Sequence, residues 1–182
     1  CTKLVDVHPS IGVLKSLKLL NLRDCKSLRT LPTKIGMESL ETLILSGCSS
    51  LIRFPEIDGK MEFLKTLDLS GCYRLESLSE NLQQSKFLEE LDLSETAITE
   101  PPSFIFQLKN IKILSFNGAI FVKEIFLVIF LVYPVWKNLI LVVTISSAYL
   151  HLLLDSQSLS LLNCQIATCA VLVKQIFMVY PL

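Results

Sequence analysis

The sequence predicts an α/β solenoid: stacked short repeats with a parallel sheet on the concave side and irregular or 3₁₀ segments on the convex side. Three observations predict it. An apolar anchor recurs at Leu20, Leu43, Leu67 and Leu91, with a degraded fifth copy at Leu114, at spacings of 23, 24, 24 and 23 residues. Around each of the first four anchors the same Leu-x-x-Leu-x-Leu pattern is closed three residues later, by Cys25, Cys48 and Cys72 and then by Thr96. The third observation is the period itself. A repeat in the twenties is too short to bury its own apolar face, so it gains stability only by stacking on its neighbours.

The elements follow in order. Cys1, Leu4, Val7 and Ile11 have the spacing of Cys25, Leu28, Leu31 and Ile35, so residues 1–13 read as half a repeat and the chain as a fragment. Full repeats start near residues 14, 40, 64 and 88, and a broken fifth occupies 111–118. In each, alternation at Leu20-x-Leu22, Leu43-x-Leu45, Leu67-x-Leu69 and Leu91-x-Leu93 predicts a short strand with both leucines inward. The later three-residue spacing (Cys25, Leu28, Leu31) suits a looser return. Burial contributes about 1.5–3 kcal/mol for each enclosed leucine, which makes stacking the main source of stability.

The remaining strand positions then face solvent on the concave side and form the candidate binding surface. They are Leu19, Asn21 and Arg23; Thr42, Ile44 and Ser46; Thr66, Asp68 and Ser70; Glu90, Asp92 and Ser94; and Ile113, Ser115 and Asn117. Leu19, Ile44 and Ile113 would be exposed aliphatics, Asp68, Glu90 and Asp92 an acidic patch, and Arg23 a basic end.

Little else in the chain carries chemistry. The cysteines repeat with the period of the fold, whereas zinc ligands come in pairs two to four residues apart. They read as a ladder of buried thiols, each S–H donating to a loop carbonyl, with Thr96 doing the same through its hydroxyl. Unpaired thiols favour a reducing compartment. The stretch Asp58-Gly59-Lys60 lacks the glycine and the Ser/Thr of a phosphate loop. His8 and His151 fall in different halves, and no nucleophile–base set accompanies either, so the chain reads as a non-enzyme. Residues 1–118 carry 14 Lys/Arg against 15 Asp/Glu, so no basic field exists to attract nucleic acid.

With these residues laid out, residues 1–118 resemble the leucine-rich-repeat region of plant intracellular immune receptors of the TIR–nucleotide-binding–LRR class. The stretches LKLLNLRDCKSLRTLP (17–32), LETLILSGCSSLIRFPEIDGKMEFLKTLDLSGC (40–72), LDLSETAITEPPSFI (91–105) and LKNIKILSFNG (108–118) carry the resemblance. It implies a protein-interaction module that recognises a pathogen effector or a guarded host protein. It also implies an autoinhibitory, intramolecular contact with a nucleotide-binding domain in the full-length receptor. Nucleotide binding and NAD cleavage would belong to other domains, so no cofactor is expected in this fragment. The implied location is the cytoplasm, with the nucleus as an alternative. The chain departs from the family pattern at Glu100-Pro101-Pro102, where Leu before a single Pro is usual, and at Ala119, where the fifth repeat should continue towards a cysteine.

Residues 119–182 are of another kind: a hydrophobic tail, helical or poorly ordered, with five charged residues in 64 and neither Gly nor Arg. Three readings stay open. One is a translated intron or shifted frame, because Phe, Leu, Ile, Met and Val, all with U at the second codon base, supply 34 of the 64. A second is a membrane segment: Ile125–Trp136 is short of the ~20 residues of a span, but extended to Val143 its ~15 apolar residues at about −0.3 to −0.6 kcal/mol each can outweigh Lys137. The third is an unusual buried helical region. The alternative reading of the whole chain is the end of a cell-surface receptor ectodomain followed by a membrane anchor. The absence of any Asn-x-Ser/Thr sequon and the Leu-Pro or Phe-Pro step favour the intracellular class.

Overall fold

A computed structural model describes residues 1–58, 61–99 and 102–116, and the backbone of 140–142. Each Leu-x-Leu alternation forms a three-residue strand, and the strands stack in sequence order. Strands β1 (Leu19–Asn21), β3 (Thr42–Ile44), β5 (Thr66–Asp68), β6 (Glu90–Asp92), β7 (Ile113–Ser115) and β8 (Ile140–Val142) form one six-stranded sheet. All its pairs are parallel, and the anchors lie opposite one another: Leu20 to Leu43, Leu43 to Leu67, Leu67 to Leu91, Leu91 to Leu114 and Leu114 to Leu141. One-residue slippage would turn every anchor out to solvent, so the pattern of leucines fixes this register.

Inward burial follows the prediction. Leu43, Leu45, Leu67, Leu69 and Leu93 are fully enclosed, and Leu91 and Leu114 nearly or fully so. Leu20 and Leu22 are only half-buried, because β1 has a neighbouring strand on one side alone. That contrast is the expected mark of nearest-neighbour stacking.

The backbone ladder continues past each strand. Leu22, Leu45, Leu69 and Leu93 donate their N–H to Ile44, Asp68, Asp92 and Ser115 of the following repeat, at 2.8–2.9 Å. One step on, Asp24, Gly47 and Gly71 donate to Ser46, Ser70 and Ser94. The chain must then reverse towards the convex side, and in each of the four full repeats it does so through a left-handed residue: Asp24 (φ 56°), Gly47 (φ 73°), Gly71 (φ 71°) and Glu95 (φ 57°). Glycine enters this region without penalty, whereas a residue with a Cβ is strained there. The first and fourth repeats therefore carry strain that the second and third avoid.

The convex side is partly more regular than expected. Besides 3₁₀ helices at Pro9–Val13, Glu80–Gln84 and Ser103–Gln107, it holds a second parallel pair, β2 (Lys34–Ile35) with β4 (Glu56–Ile57). Pro32 and Pro55 precede these segments by one or two residues, but prolines also open the 3₁₀ helices at Pro9 and, as N-cap Pro102, at Ser103, so proline alone does not decide between the two. The third repeat has no proline there, and the Ser79 hydroxyl instead accepts from the Asn81 N–H at 3.3 Å and starts a 3₁₀ turn. At the half-repeat, His8 Nδ1 accepts from the Ser10 N–H in the same way. Gly36 is needed at its place, because a Cβ there would collide with the Asp58 carbonyl oxygen of the next repeat.

The chain divides into compact units Cys1–Val143 and Thr144–Leu182. Strand β8 comes from the apolar stretch after residue 118 and is neither helical nor unordered at these three residues. Several expectations lie outside the described residues. They are the Gly59-Lys60 and Glu100-Pro101 steps, Asn117, the break at Gly118, His151 and the rest of the tail. Among the described residues, no helix is long and apolar enough to cross a membrane.

Candidate functional site

The concave face is built by the outward positions of the six-stranded sheet, and it corrects the sequence reading in two respects. Leu19 is 55% exposed as expected, but Ile44 and Ile113 are half-buried between neighbouring strands. Ser46, Ser94 and Ser115, expected to face solvent, are buried. Their side chains are short and sink between longer neighbours, and the Arg23 guanidinium lies against Ser46, with its Nε donating to the Ser46 hydroxyl at 3.1 Å. Asn21, Arg23 and Glu90 are exposed, and Thr42, Thr66, Asp68, Ser70 and Asp92 half-exposed.

The three acidic residues do come together. Register places Asp68 opposite Asp92 and Thr66 opposite Glu90, and the Thr66 hydroxyl donates to Glu90 Oε2 at 3.4 Å. Asp68 Oδ1 accepts from the Ser70 N–H (3.0 Å) and hydroxyl (2.7 Å), and Asp92 Oδ1 accepts from the Ser94 N–H at 2.9 Å. These side-chain turns hold both carboxylates rigidly at the ends of their strands. Between β5, β6 and β7 they border a shallow hollow of about 170 Å³, whose far side is Ile113 and Ser115. The hollow is smaller than the roughly 300–1,000 Å³ of a small-molecule site. Among the described residues, no group of His, Cys, Asp and Glu is placed to hold a metal ion.

The thiol ladder is present in the middle of the stack. Cys48 Sγ donates to the Leu22 carbonyl at 3.2 Å and Cys72 Sγ to the Leu45 carbonyl at 3.3 Å, each reaching back into the preceding repeat. Burial pushes the Cys48 thiol up to about 11 and the Cys72 thiol up to about 12, so both stay protonated donors. The ends differ from expectation. Cys1 is exposed, since its half-repeat is covered on one side only. The Thr96 hydroxyl donates to Leu93 of its own repeat, at 2.9 Å, and so closes a turn without tying two repeats together.

A chemical and a pH experiment follow from the ladder. Iodoacetamide at pH 8, read by peptide mass mapping, should label Cys1 rapidly while Cys25, Cys48 and Cys72 react only on unfolding. A thiol whose folded pKa lies above its ordinary 9.0 contributes its full stability below pH 9. That stability is lost as pH rises from 9 towards about 12, so chemical denaturation should show the midpoint falling across this window.

Sequence reasoning missed the rim of the sheet. The residue immediately before each strand alternates in sign along the stack: Lys18, Glu41, Lys65, Glu89, Lys112. Glu41 pairs with Lys65 at 3.0 Å and Lys18 at 3.3 Å, and Lys112 pairs with Glu89 at 2.7 Å. Lys65 first and Lys18 second hold the Glu41 carboxyl below its usual range. A parallel row pairs Lys15 with Glu38 (2.9 Å) and Glu62 with Lys86 (3.8 Å). Next to it the exposed rings of Phe63 and Phe87 stack with centroids 6.3 Å apart. Period-24 alternation of charge was the available signal. Exposed pairs of this kind set register more than they add stability.

The repeat geometry has its counterpart in known sequences. Residues 63–85, which run from the approach to β5 through Ser85 on the convex side, match the family described as Leucine Rich Repeat. The described repeats form a solenoid of the leucine-rich-repeat type. Its repeats are similar to those of plant disease-resistance proteins, in agreement with the resemblance to the TIR–nucleotide-binding–LRR class. Disease resistance protein RPS4B of Arabidopsis thaliana is 47% identical over 58 residues, 31% of this chain and 5% of that protein. TMV resistance protein N of Nicotiana glutinosa is 46% identical over 61 residues, 34% of this chain and 5% of that protein. Disease resistance protein RPP4 of Arabidopsis thaliana is 46% identical over 57 residues, 31% of this chain and 5% of that protein. The chain thus spans about a twentieth of the length of these relatives. The repeat region is a non-catalytic module.

Proposed function

We propose that this leucine-rich-repeat solenoid is a protein-recognition segment of a plant immune receptor. Its concave sheet contacts a pathogen effector or a guarded host protein. The observation that carries this reading is the 46–47% identity to disease resistance proteins over about a third of the chain. The concave face supports it: a rigid parallel sheet, with Leu19 and the half-buried Ile44 and Ile113 interleaved with unlike charges, Arg23 at one end and Asp68, Glu90 and Asp92 at the other. Such a surface suits a protein partner better than a small molecule, because its hollow is shallow and its apolar side chains are spread along the stack.

In the full-length receptor the same stack would also restrain a nucleotide-binding domain, and the receptor would act in the cytoplasm or nucleus. Nucleotide chemistry would lie in that domain, so the solenoid itself takes no cofactor and no nucleic acid. Direct binding of the full chain to a panel of pathogen effectors and candidate host proteins tests this, followed by two variants against the binder found. Ile44→Glu on the concave sheet should weaken binding at least about tenfold, the scale of one buried hot-spot residue. Glu56→Ala, on β4 of the second sheet, should leave binding unchanged. Loss with Glu56→Ala and retention with Ile44→Glu would overturn the concave assignment.

A further inference from the structure

We propose that the flank of the solenoid bearing the Lys–Glu rim is a self-association surface. On it a second copy of this chain packs antiparallel, about a twofold axis that crosses the stack between β5 and β6. This surface is separate from the concave sheet and stands independently of the recognition reading. Its centre is the exposed aromatic pair. Phe63 is 56% and Phe87 50% exposed, and their rings stack with centroids 6.3 Å apart. The same place in the other repeats holds Ser16, Ser39 and Asn110, so this column is aromatic only on either side of the axis. A stacked pair left in water gains further from a second pair laid against it.

The charges on either side of the rings select what covers them. An axis lying in this flank between Phe63 and Phe87 sets the β5 repeat against the β6 repeat of the second copy, and β3 against β7. In the row just before the strands, Lys65 then faces Glu89 and Glu41 faces Lys112. In the outer row, Glu62 faces Lys86 and Glu38 faces Lys109. In the column between the two rows, Phe63 faces Phe87 and Ser39 faces Asn110. Every charge on these four repeats meets its opposite, and each contact occurs twice.

Other arrangements fail this test. An alternating row is complementary to itself about any point between two repeats, but the outer row does not alternate. It reads Lys15, Glu38, Glu62, Lys86, Lys109. An axis between β3 and β5 would set Glu38 on Glu62 and Lys15 on Lys86. One between β6 and β7 would set Lys86 on Lys109. A parallel arrangement, with the axis along the aromatic column, would set Lys18 on Lys15, Glu41 on Glu38 and Lys112 on Lys109. Like charges brought together in an interface disfavour that register. The aromatic pair and the outer row thus select the same axis independently.

The inner row is held in place by the backbone. The Lys65 N–H donates to the Glu41 carbonyl and the Glu89 N–H to the Lys65 carbonyl, each at 2.8 Å, and the Lys112 N–H donates to the Glu89 carbonyl at 2.7 Å. Within the chain, Lys65 pairs with Glu41 and Lys112 with Glu89, so the ion pairs of this row stop at the axis. Lys109 is exposed and has no ion-pair partner among the described residues, and the axis brings it Glu38 of the second copy. Five repeats at about 4.7–4.9 Å each make a short contact, so the dimer is weak and reversible.

Sedimentation velocity of the full chain over a concentration series tests this, and should show a reversible passage from monomer to dimer. Lys109→Glu alone sets like charges together at both of its contacts, and so does Glu38→Lys alone. Each should weaken dimerisation at least about fivefold. In an equimolar mixture of the two variants, a mixed dimer has opposite charges at both contacts. The mixture should therefore dimerise within about threefold of the unaltered chain, a recovery that also shows both variants to be folded. Phe87→Ser should weaken dimerisation about tenfold. Ile44→Glu, on the concave sheet, should leave it unchanged. A chain monomeric at every concentration, dimerisation indifferent to Phe87→Ser, or a mixture no better than either variant alone would overturn the inference. Loss with Ile44→Glu and retention with Phe87→Ser would overturn it too, by moving self-association to the concave sheet. If the chain stays monomeric and Phe87→Ser instead releases the protein binder, the flank belongs to that binder and the second copy is refuted.

Discussion

Leu67→Asp should abolish cooperative folding of the repeats, whereas Asp68→Ala, one residue along the same strand, should leave them folded. Leu67 lies fully buried in the middle strand of the stack, with Leu43 on one side and Leu91 on the other. An aspartate there would remove a leucine's burial and place a charge where no described donor or cation can meet it. The loss of apolar contact alone costs about 2–5 kcal/mol, as for other buried leucines cut back to alanine. Burying an unpaired carboxylate adds several kcal/mol more. Together these approach the whole stability of a domain this size, commonly about 5–15 kcal/mol. Asp68 points the other way, half-exposed at the concave surface, and its removal deletes one turn and one repulsive pair. Circular dichroism with urea denaturation separates the two outcomes. Equal loss of folding in both variants would refute the inward and outward assignment of β5.

The second large effect is expected on the convex side. Phe104→Ala should cost about 3–5 kcal/mol, the usual penalty for an enclosed aromatic side chain. Phe104 is fully buried at the start of the 3₁₀ helix Ser103–Gln107, beside the equally buried Ile105. The first two repeats place a two-residue strand here, with a single inward side chain, Ile35 or Ile57. In the fourth repeat the 3₁₀ turn directs two neighbours inward, which fills the space with more apolar volume. A lowered urea midpoint with unchanged slope would confirm that the variant leaves a cavity without altering the extent of unfolding. A cost below that of an ordinary surface substitution would show that this end of the stack can close over the space.

How much of this was legible in the sequence depends on the range of the interaction. Strand positions, parallel order and the inward leucines followed from period and alternation, since stacking identical units allows only one register. The acidic patch was legible for the same reason. Asp68 and Asp92 are 24 residues apart, one repeat, and a repeat apart means opposite each other. The rim of alternating Lys18, Glu41, Lys65, Glu89 and Lys112 was equally readable by period and was missed. What failed were judgements of depth. Ser46, Ser94 and Ser115 share an outward parity with Asp68, yet a serine is too short to clear the side chains around it. Phe104 escaped because residue spacing does not tell a strand from a 3₁₀ turn, and the turn brings two adjacent side chains inward.

The sequence by itself determined the leucine-rich-repeat architecture, the register of the sheet and the resemblance to plant disease-resistance proteins. Each rests on residues that repeat at a fixed interval, and a repeating chain has one way to bury them. Tertiary structure decided which outward residues are accessible, where the convex side is strand or 3₁₀ helix, and which thiols reach across to another repeat. Those features depend on side-chain length and on neighbours one and two repeats away, distances that periodicity counts and only packing can measure.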